Sequence, residues 1–406
     1  MPSLNVTHEL YAGLTRFSGT GVKPDLAESW DVEQGGLVWT FHLRDNLRWS
    51  DDRRLTAADL RRSWLRALAP ATGAPLAGPD LGIVRGARAF HATGRGAVGV
   101  EAVDDRTLRV TLQHPIPWLD QLVAHPIASA YRPDAFSGPF RLAGRAVLER
   151  NFNYWNVRAV KPSRFVLTTQ TKGADAILPR GLAPPGLPWV QTAKQPTGPG
   201  WRTLPTLAVR LVWLSQKLSA VDRATIATSF GDATLNELVP AAMPGRDQVI
   251  SNALLVPSHL RPRRLRLAYD PRDALASKAI ASMRQTLAGF HLSVRPGSKG
   301  DLVLLGWSPK IFDEYNILDL FPCGSAFNVV HWCDPSYDAL MRRAVRTLDD
   351  GKRYAIERKL LGEKLRPAVP VVPLVQPSEY VRIKPGVRGF SWSPIGFYEL
   401  AGMTRS

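Results

Sequence analysis

The chain has 406 residues, 45% of them hydrophobic and 21% charged, and this ordinary globular composition excludes a disordered or fibrous protein. At about 100–200 residues per domain, the length predicts two or three domains. The net charge is +17, but the arginines are scattered, with the densest run at 261–272, and no helix-turn-helix, zinc-finger or basic-zipper motif accompanies them. We therefore expect no nucleic acid among the partners. No stretch approaches 18 consecutive apolar residues, so no membrane-spanning helix is predicted.

The first third of the chain predicts short strands around one capped helix. Apolar residues alternate over 37–43 after a glycine pair, which is a hairpin pattern. Thr56 followed by Asp59 forms a capping box and predicts the start of a helix. Two short strands are predicted within 100–112, and further strands within 137–167.

The middle of the chain begins with a break. Seven prolines within 179–205 predict a loop or linker. An apolar strand follows at 206–214, and a helical pattern resumes over 219–240.

The last third alternates strands with helices, which predicts an α/β domain. Strands are predicted at 264–269 and 369–376, and a fully apolar strand at 302–305, as in a buried parallel sheet. A helix begins near Asp273. Further helices are predicted from Asp334, with Pro335 at the first helical position, and over 352–365.

Few residues in this sequence suggest catalysis. A nucleophile elbow, a phosphate-binding loop, a dinucleotide fingerprint and a zinc-protease motif are all missing. Three acid pairs, at 51–52, 104–105 and 349–350, lie in turn-like contexts and are interpreted as turn formers. We expect no enzyme, no metal and no cofactor. The histidines show no ligand spacing: His8, His42, His91, His114, His125, His259, His291 and His331.

Two further features stand out near the end of the predicted buried strand. Trp307 follows Gly306 at the carboxyl end of that strand, where ligands of α/β sheets bind, although a packing role is also open. Cys323 and Cys333 are the only cysteines, which excludes a four-cysteine zinc site. In a reducing cytosol they would be free thiols, and in an exported protein they would close a short loop.

The N-terminal sequence MPSLNVTHELYAGL lacks a basic start, an apolar core and a cleavage site. Taken literally, it predicts a cytoplasmic protein. An amphipathic pattern already begins by residue 8, which also fits a start codon assigned too late.

The motifs and their order resemble the extracytoplasmic solute-binding proteins of oligopeptide, dipeptide and nickel ABC importers, family 5. The opening PDLAESW and WTFHLRDNLRWSD, then SGPFRLAG and RNFNYWN, stand where that family has them. LGW at 305–307, NVVHWCDPSYDALMRRAVRTLDDGKR at 328–353 and VPVVPLVQ at 369–376 follow. The tail resembles the dipeptide-binding and antimicrobial-peptide-sensitivity branch, which also carries the cysteine pair. The match covers nearly the whole chain.

The resemblance implies a two-lobed α/β fold of the periplasmic-binding-protein type, with a hinge and a ligand cleft near Trp307. We expect an N-terminal subdomain at 1–136 and the core of the first lobe at 137–258 and 374–406. The second lobe is expected at 262–373, with crossings near 258–263 and 372–376. The resemblance also implies a Cys323–Cys333 disulfide.

The implied function is that of an extracytoplasmic, periplasmic receptor. It would bind peptide or a related small solute, act as a monomer, and deliver the solute to the membrane permease of an ABC importer without catalysis. The alternative is a ligand-sensing regulatory module derived from the same fold, which an upstream DNA-binding segment would reveal. An enzyme is a third alternative, but it would need an acid, base and nucleophile set that the sequence does not offer.

The resemblance implies ligand-binding residues at Gly306, Trp307, Lys310, Asp313 and Asn328. Peptide-binding members carry an aspartate three residues after the tryptophan, where it pairs with the peptide amine, and this chain has Lys310 there. A lysine repels an ammonium and attracts a carboxylate or phosphate, so we expect selection for an acidic ligand. Two alternatives stay open: Lys310 faces solvent on a rebuilt loop 308–316, or Asp313 replaces the missing aspartate.

Two segments also depart from the family pattern. The sequence starts just before HELYAGL, so the family's first strand and its Leu-Asp-Pro segment, which lies against bound peptide in relatives, are missing from it. The interval between GFHLSVRP and DLVLLGW is too short for a helix that usually helps to line the site.

Overall fold

The computed structural model describes residues 4–168, 172–178, 198–230, 238–240, 242–244, 264–271, 273, 276–375 and 378–406. Within these residues the chain forms two compact α/β units. The first unit contains 4–178, 198–204 and 380–406, and the second contains the described part of 205–379.

The first unit is built from small antiparallel sheets and short helices. Its largest sheet has four strands in the order β3-β4-β6-β5, and helix α2 contacts strands β5 and β6. The hairpin predicted around 37–43 is the β3–β4 pair, and the predicted capping box at Thr56 and Asp59 starts α2. Its helices are α1 (Leu4–Leu10), α2 (Ala57–Leu68), α3 (Ala77–Leu81), α4 (Ala87–Thr93) and α5 (Leu119–Leu122). The strands up to residue 204 are β1 (Thr15–Ser18), β2 (Gly21–Pro24), β3 (Ala27–Glu33), β4 (Val38–Leu43), β5 (Val100–Ala102), β6 (Thr107–Thr111), β7 (Phe140–Leu142), β8 (Val147–Arg150), β9 (Arg164–Val166), β10 (Ala176–Ile177) and β11 (Trp201–Leu204).

The end of the chain completes this first unit. Asn5 on α1 donates from Nδ2 to the carbonyl of Gly396 over 3.1 Å and accepts at Oδ1 from the Tyr398 N–H over 3.0 Å. The first helix is therefore tied to the last hairpin. The C-terminal strands are β17 (Glu379–Ile383), β18 (Val387–Arg388), β19 (Ser391–Ser393), β20 (Phe397–Glu399) and β21 (Thr404–Arg405), of which β17 lies between β10 and β11.

The second unit has a five-stranded mixed sheet in the order β14-β13-β15-β12-β16. Its strands are β12 (Val209–Leu214), β13 (Arg264–Tyr269), β14 (His291–Pro296), β15 (Leu302–Trp307) and β16 (Val371–Val375). The strand predicted at 302–305 is buried, as expected, but only its β13 neighbour is parallel, and β12 runs antiparallel to it.

Helices of the second unit cover this sheet. Buried side chains of α6 and α7 pack with those of β12, β13 and β15 in one hydrophobic core. The helix predicted over 352–365 begins at 350 and passes into a π-helical turn, Leu360–Leu365. The helices are α6 (Ala220–Ser229), α7 (Ala276–Thr286), α8 (Tyr315–Leu318), α9 (Pro335–Ala344), α10 (Asp350–Lys359) and α11 (Arg366–Ala368).

The predicted lobe boundaries need one correction. We placed 137–258 in the first lobe, but β12 pairs with both β15 and β16 and therefore belongs to the sheet of the second unit. The chain passes from the first unit to the second at 204–205 and returns at 379–380, because β16 is an edge strand of that same sheet. The crossing expected near 258–263 falls on residues outside the described part, as does most of the proline-rich segment.

Candidate functional site

The carboxyl end of β15 carries the residues that the sequence singled out. Gly306 lies opposite Arg210 in the register of the sheet, and Trp307 lies opposite Val209. Gly306 is exposed and Trp307 is half-buried, so both are accessible at this edge of the sheet. The arrangement matches the position at which α/β sheets bind ligands.

The indole of Trp307 holds a buried donor. Its Nε1 atom is shielded from solvent and has no hydrogen-bond partner among the described residues. Buried indole N–H groups usually find a partner, so this donor is available to an acceptor that is not part of the described chain. The Trp307 ring also contacts the ring of Phe327 edge-on, with centroids 4.8 Å apart, and Phe327 is 52% exposed.

Phe327 was not predicted from the sequence. The signal that could have indicated it is its position in the short segment between the two cysteines. A large apolar side chain in so short a loop has few core residues to pack against. With Trp307 it forms an aromatic pair that offers both an apolar surface and one N–H donor. Such a pair suits a ligand with apolar groups and a carbonyl or carboxylate oxygen.

Lys310 lies in the loop that leaves β15. Its backbone N–H donates to Oδ1 of Asn316 over 2.8 Å, which fixes the loop to the start of α8. The residue is half-buried. Its selection of an acidic ligand stays a prediction.

Asp313 forms a buried ion pair within its own unit, and its role as an alternative amine anchor stays a prediction. Its side chain is 1% exposed, and Oδ2 accepts from Nε of Arg353 over 2.8 Å. Its other oxygen, Oδ1, accepts from the backbone N–H of Tyr315 over 2.9 Å. Both oxygens of the carboxylate therefore bind groups of the second unit, one the buried guanidinium of Arg353 and the other a backbone N–H.

More acids than cations surround Arg353. Asp313, Glu314 and Glu357 are all buried, and Glu357 Oε1 lies 3.8 Å from Arg353 Nε. Burial together with the charge of Asp313 raises the pKa of Glu357 to about 10, and burial also raises the pKa of Asp313. The raised pKa favours the protonated form of Glu357 beside Asp313. This cluster stabilises the loop after β15.

Asn328 forms hydrogen bonds within its own loop, and its predicted contact with a ligand stays a prediction. Its side chain is buried, and Nδ2 donates to the carbonyls of Phe321 and Trp332 over 3.0 and 2.6 Å. Oδ1 accepts from the Trp332 N–H over 3.1 Å. The amide therefore organises the loop between the cysteines.

The cysteines lie at the ends of that same loop. A disulfide joins Cys323 to Cys333, with Cα atoms 4.5 Å apart. The Cys323 N–H donates to Oδ1 of Asp338 on α9 over 3.1 Å, so the loop is held to the helix that follows it. The disulfide and Asn328 together define the backbone from which Phe327 projects.

A second cation at this edge was missed. Arg210 stands within an otherwise apolar strand, which is the signal that could have found it, and it is 3% exposed. Both of its terminal nitrogens donate to Asp273, one of them over 2.7 Å. Such a bidentate pair positions the start of β12 beside Gly306.

Two further features are lacking among the described residues. No group of three or more histidine, cysteine, aspartate or glutamate side chains there could hold a metal ion. No described helix is long and apolar enough to cross a membrane.

Comparisons with known proteins agree with this architecture. A model for the middle region of the bacterial extracellular solute-binding proteins, family 5, matches residues 21–178. YgiS of Escherichia coli (strain K12), a probable deoxycholate-binding periplasmic protein, is 27% identical over 94% of this chain and 85% of its own length. The periplasmic oligopeptide-binding protein OppA of the same strain is 34% identical over 186 residues, 38% of this chain and 33% of that protein.

Solved structures show the same fold. The unliganded open form of the periplasmic murein tripeptide-binding protein MppA has a TM-score of 0.77 at 19% identity, over 99% of this chain and 92% of that one. Clavulanic acid biosynthesis oligopeptide binding protein 2 has a TM-score of 0.78 at 19% identity, over 99% of this chain and 91% of its own. The two-unit α/β architecture is thus that of known binding proteins.

Proposed function

The chain belongs to the family 5 bacterial extracellular solute-binding proteins. We propose that it is the solute receptor of an ABC importer and that its ligand binds near Trp307. The receptor binds its solute outside the cytoplasm and delivers it to a membrane permease. We take peptide as the solute class, because several relatives are oligopeptide- or dipeptide-binding proteins. The periplasm as its compartment, a monomeric state and the lack of any catalysis belong to the same proposal. A ligand cleft between two lobes stays a prediction.

One observation carries the assignment of the site. The buried Nε1 of Trp307, which has no hydrogen-bond partner among the described residues, lies at the carboxyl edge of the sheet beside the exposed ring of Phe327. An unmade hydrogen bond of a buried donor costs about 1–3 kcal/mol, and a ligand oxygen would remove that cost. Peptides present such oxygens on every residue.

Replacing the indole tests the site directly. The receptor is purified without denaturation, its retained ligand is identified by native mass spectrometry, and that ligand is titrated calorimetrically. Trp307→Phe keeps an aromatic ring but removes the N–H, and we expect roughly tenfold weaker binding, about 1.4 kcal/mol.

The matched control is Trp30→Phe, which removes a half-buried indole from β3 in the first unit. It should leave the affinity unchanged. Equal affinities of the two variants would contradict the site.

The positive charge of Lys310 supports a second class of solute for the same receptor function, namely anionic solutes. The loop after β15 carries a cation where amine-binding members carry an acid, and the relative YgiS is named for deoxycholate, a carboxylate. An anionic solute would therefore contact Lys310 and an apolar portion would contact the aromatic pair. Peptides bound through a carboxylate fit the same arrangement.

Charge reversal separates the two classes. If Lys310 contacts an anionic group, Lys310→Glu should weaken binding of the retained anionic ligand by about 2 kcal/mol or more. Lys299→Glu makes the same charge change at an exposed position of the second unit and should have little effect. Unchanged affinity of the Lys310 variant would exclude a direct contact.

Coupling to transport separates a receptor from a sensory module. The liganded protein is added to the cognate permease and ATPase in liposomes. We expect stimulated ATP hydrolysis with the liganded protein and little with Trp307→Phe at the same ligand concentration. Ligand binding without any stimulation would favour a regulatory module.

A further inference from the structure

The first unit contains a basic groove far along the chain from Trp307. It has a volume of about 600 Å³, within the range of small-molecule sites. One wall is the face of α2 and the other is the segment at 131–132. The charged and polar residues that line it are Asp59, Arg62, Ser63, Arg66, Tyr131 and Arg132.

The charges of the groove do not balance. Three guanidinium groups meet one carboxylate, that of Asp59, which is already paired with Arg62. No ion pair of Arg66 occurs among the described residues. Arg132 pairs with the exposed Asp134, which does not line the groove and also pairs with Arg53.

Helical spacing makes this arrangement unfavourable without an anion. Arg62 and Arg66 stand four residues apart on α2, where like charges weakly destabilise a helix. Arg132 adds a third positive charge to the same groove. A bound anion would remove this repulsion.

Aromatic rings hold two of the guanidinium groups in place. The Arg66 guanidinium carbon lies 4.3 Å from the centroid of the Tyr131 ring, and that of Arg132 lies 5.5 Å from the ring of Trp49. Stacked guanidinium groups keep their hydrogen-bonding edges free and lose less entropy when they bind an oxyanion. Ser63 fixes the second wall, because its hydroxyl accepts from the Tyr131 N–H over 2.9 Å.

We propose that this groove binds the phosphate group of a small molecule. The lining residues carry three positive charges and one negative charge, and Asp134 beside Arg132 offsets part of this excess. A phosphate monoester carries about −1.5 to −2 at neutral pH and has the opposite sign. Guanidinium forks bind phosphate oxygens in pairs, which a single carboxylate would satisfy only in part. The lining residues all belong to the first unit, and none of them is among the residues of the solute site proposed at Trp307.

Inorganic pyrophosphate is the probe, titrated calorimetrically into the full chain at low ionic strength. We expect saturable binding with a dissociation constant below about 1 mM, and binding at least about tenfold weaker in Arg66→Gln and Arg132→Gln. Arg61→Gln is the control, because Arg61 lies on the same helix but donates to the Val100 carbonyl. It should bind pyrophosphate as the parent chain does.

Two further measurements keep the proposal falsifiable. Arg66→Lys retains the charge and the fold but loses the fork and should still weaken binding. Flotation with phosphatidylglycerol vesicles distinguishes a lipid-borne phosphate, since binding that Arg66→Gln abolishes would assign the same groove to a headgroup. Absence of saturable binding, equal loss in Arg61→Gln, or sodium acetate binding as tightly as pyrophosphate would overturn the proposal.

Discussion

Each of the two units buries an arginine among acidic side chains, but the acids that pair with it lie at different distances along the sequence. In the first unit Arg16 pairs with Glu9 at 3.2 Å and with Glu399 at 3.0 Å, which joins the two ends of the chain. In the second unit Arg353 pairs with Asp313 and Asp350, which lie within 40 residues of it.

The two clusters also differ in the number of hydrogen-bond donors that surround their carboxylates. Asp25, near Arg16, accepts from Tyr154 Oη and Trp155 Nε1 over 2.8 and 2.7 Å, and Glu9 accepts from the Leu400 N–H. Glu357 accepts no hydrogen bond from the described residues. Burial raises the pKa of acids in both clusters, but that of Glu9, which accepts from the Leu400 N–H, rises to about 7, whereas that of Glu357 rises to about 10. The comparison teaches that hydrogen-bond donors limit the rise in pKa that burial causes.

Removing each arginine should give the largest effects. Arg353→Met leaves Asp313 with one backbone donor and no cation, and we expect a loss of about 3–5 kcal/mol. Arg16→Met should cost less, about 1–3 kcal/mol, because its acids keep other donors. Urea unfolding measures both, with Arg48→Met as the exposed control. A larger loss of unfolding free energy in Arg16→Met than in Arg353→Met would contradict this difference between the two clusters.

The disulfide should stabilise only the second unit. Replacing Cys323 and Cys333 by serine opens a short loop, and we expect a loss of about 3 kcal/mol in the transition of that unit. Reduction of the parent chain should have the same effect. Intact mass after alkylation without reduction checks the bond itself. Two alkylated thiols in protein from an oxidising compartment would contradict it.

The pH dependence of stability should separate the two clusters. Burial raises the pKa of Glu357 from 4.5 to about 10 and that of Glu9 from 4.5 to about 7. Each folded pKa lies above the unfolded value, so each proton stabilises the fold at low pH. That contribution is lost as the pH rises through the folded pKa, by up to about 1.4 kcal/mol per pH unit.

Amide variants test these two windows. Glu357→Gln should flatten the decline of stability between about pH 5 and 10 and raise stability at alkaline pH. Glu9→Gln should flatten only the part below about pH 7. Thermal unfolding across this range measures both. A Glu357→Gln profile parallel to that of the parent chain would mean that Glu357 is ionised in the folded state.

Helix-cap variants should have the smallest effects, and they show which unfolding transition belongs to which unit. Thr56 in the first unit and Ser219 in the second each form a capping box. Replacing either by alanine should cost about 1 kcal/mol, and each variant should shift the transition of its own unit. Equal shifts of both transitions in calorimetry would show that the units unfold together.

Local sequence patterns predicted most elements because their causes are local. The capping boxes, the Asp334–Pro335 helix start and the alternation in β4 depend on residues within one turn or one strand. The strand at 209–214 was also predicted, but not its sheet. An apolar strand carries no information about which neighbours it pairs with, so the unit boundary was placed wrongly.

Polar site residues were harder to predict for the same reason. The sequence does not reveal the partners of Asp313 and Asn328 within the chain, and Arg353 is 40 residues away from Asp313. Trp307 was found because a buried strand ends at it. Phe327 depends on a loop geometry that Asn328 and the disulfide create together.

The contacts between α1 and the last hairpin have a consequence for synthesis of the chain on the ribosome. Residues 205–379 form an insertion between segments of the first unit, so the second unit can fold while the first still lacks 380–406. Until those final residues emerge, Asn5 has no partner at Gly396 or Tyr398. The first unit can therefore complete its structure only after the second has been synthesised, and until then α1 lacks its contacts with the last hairpin.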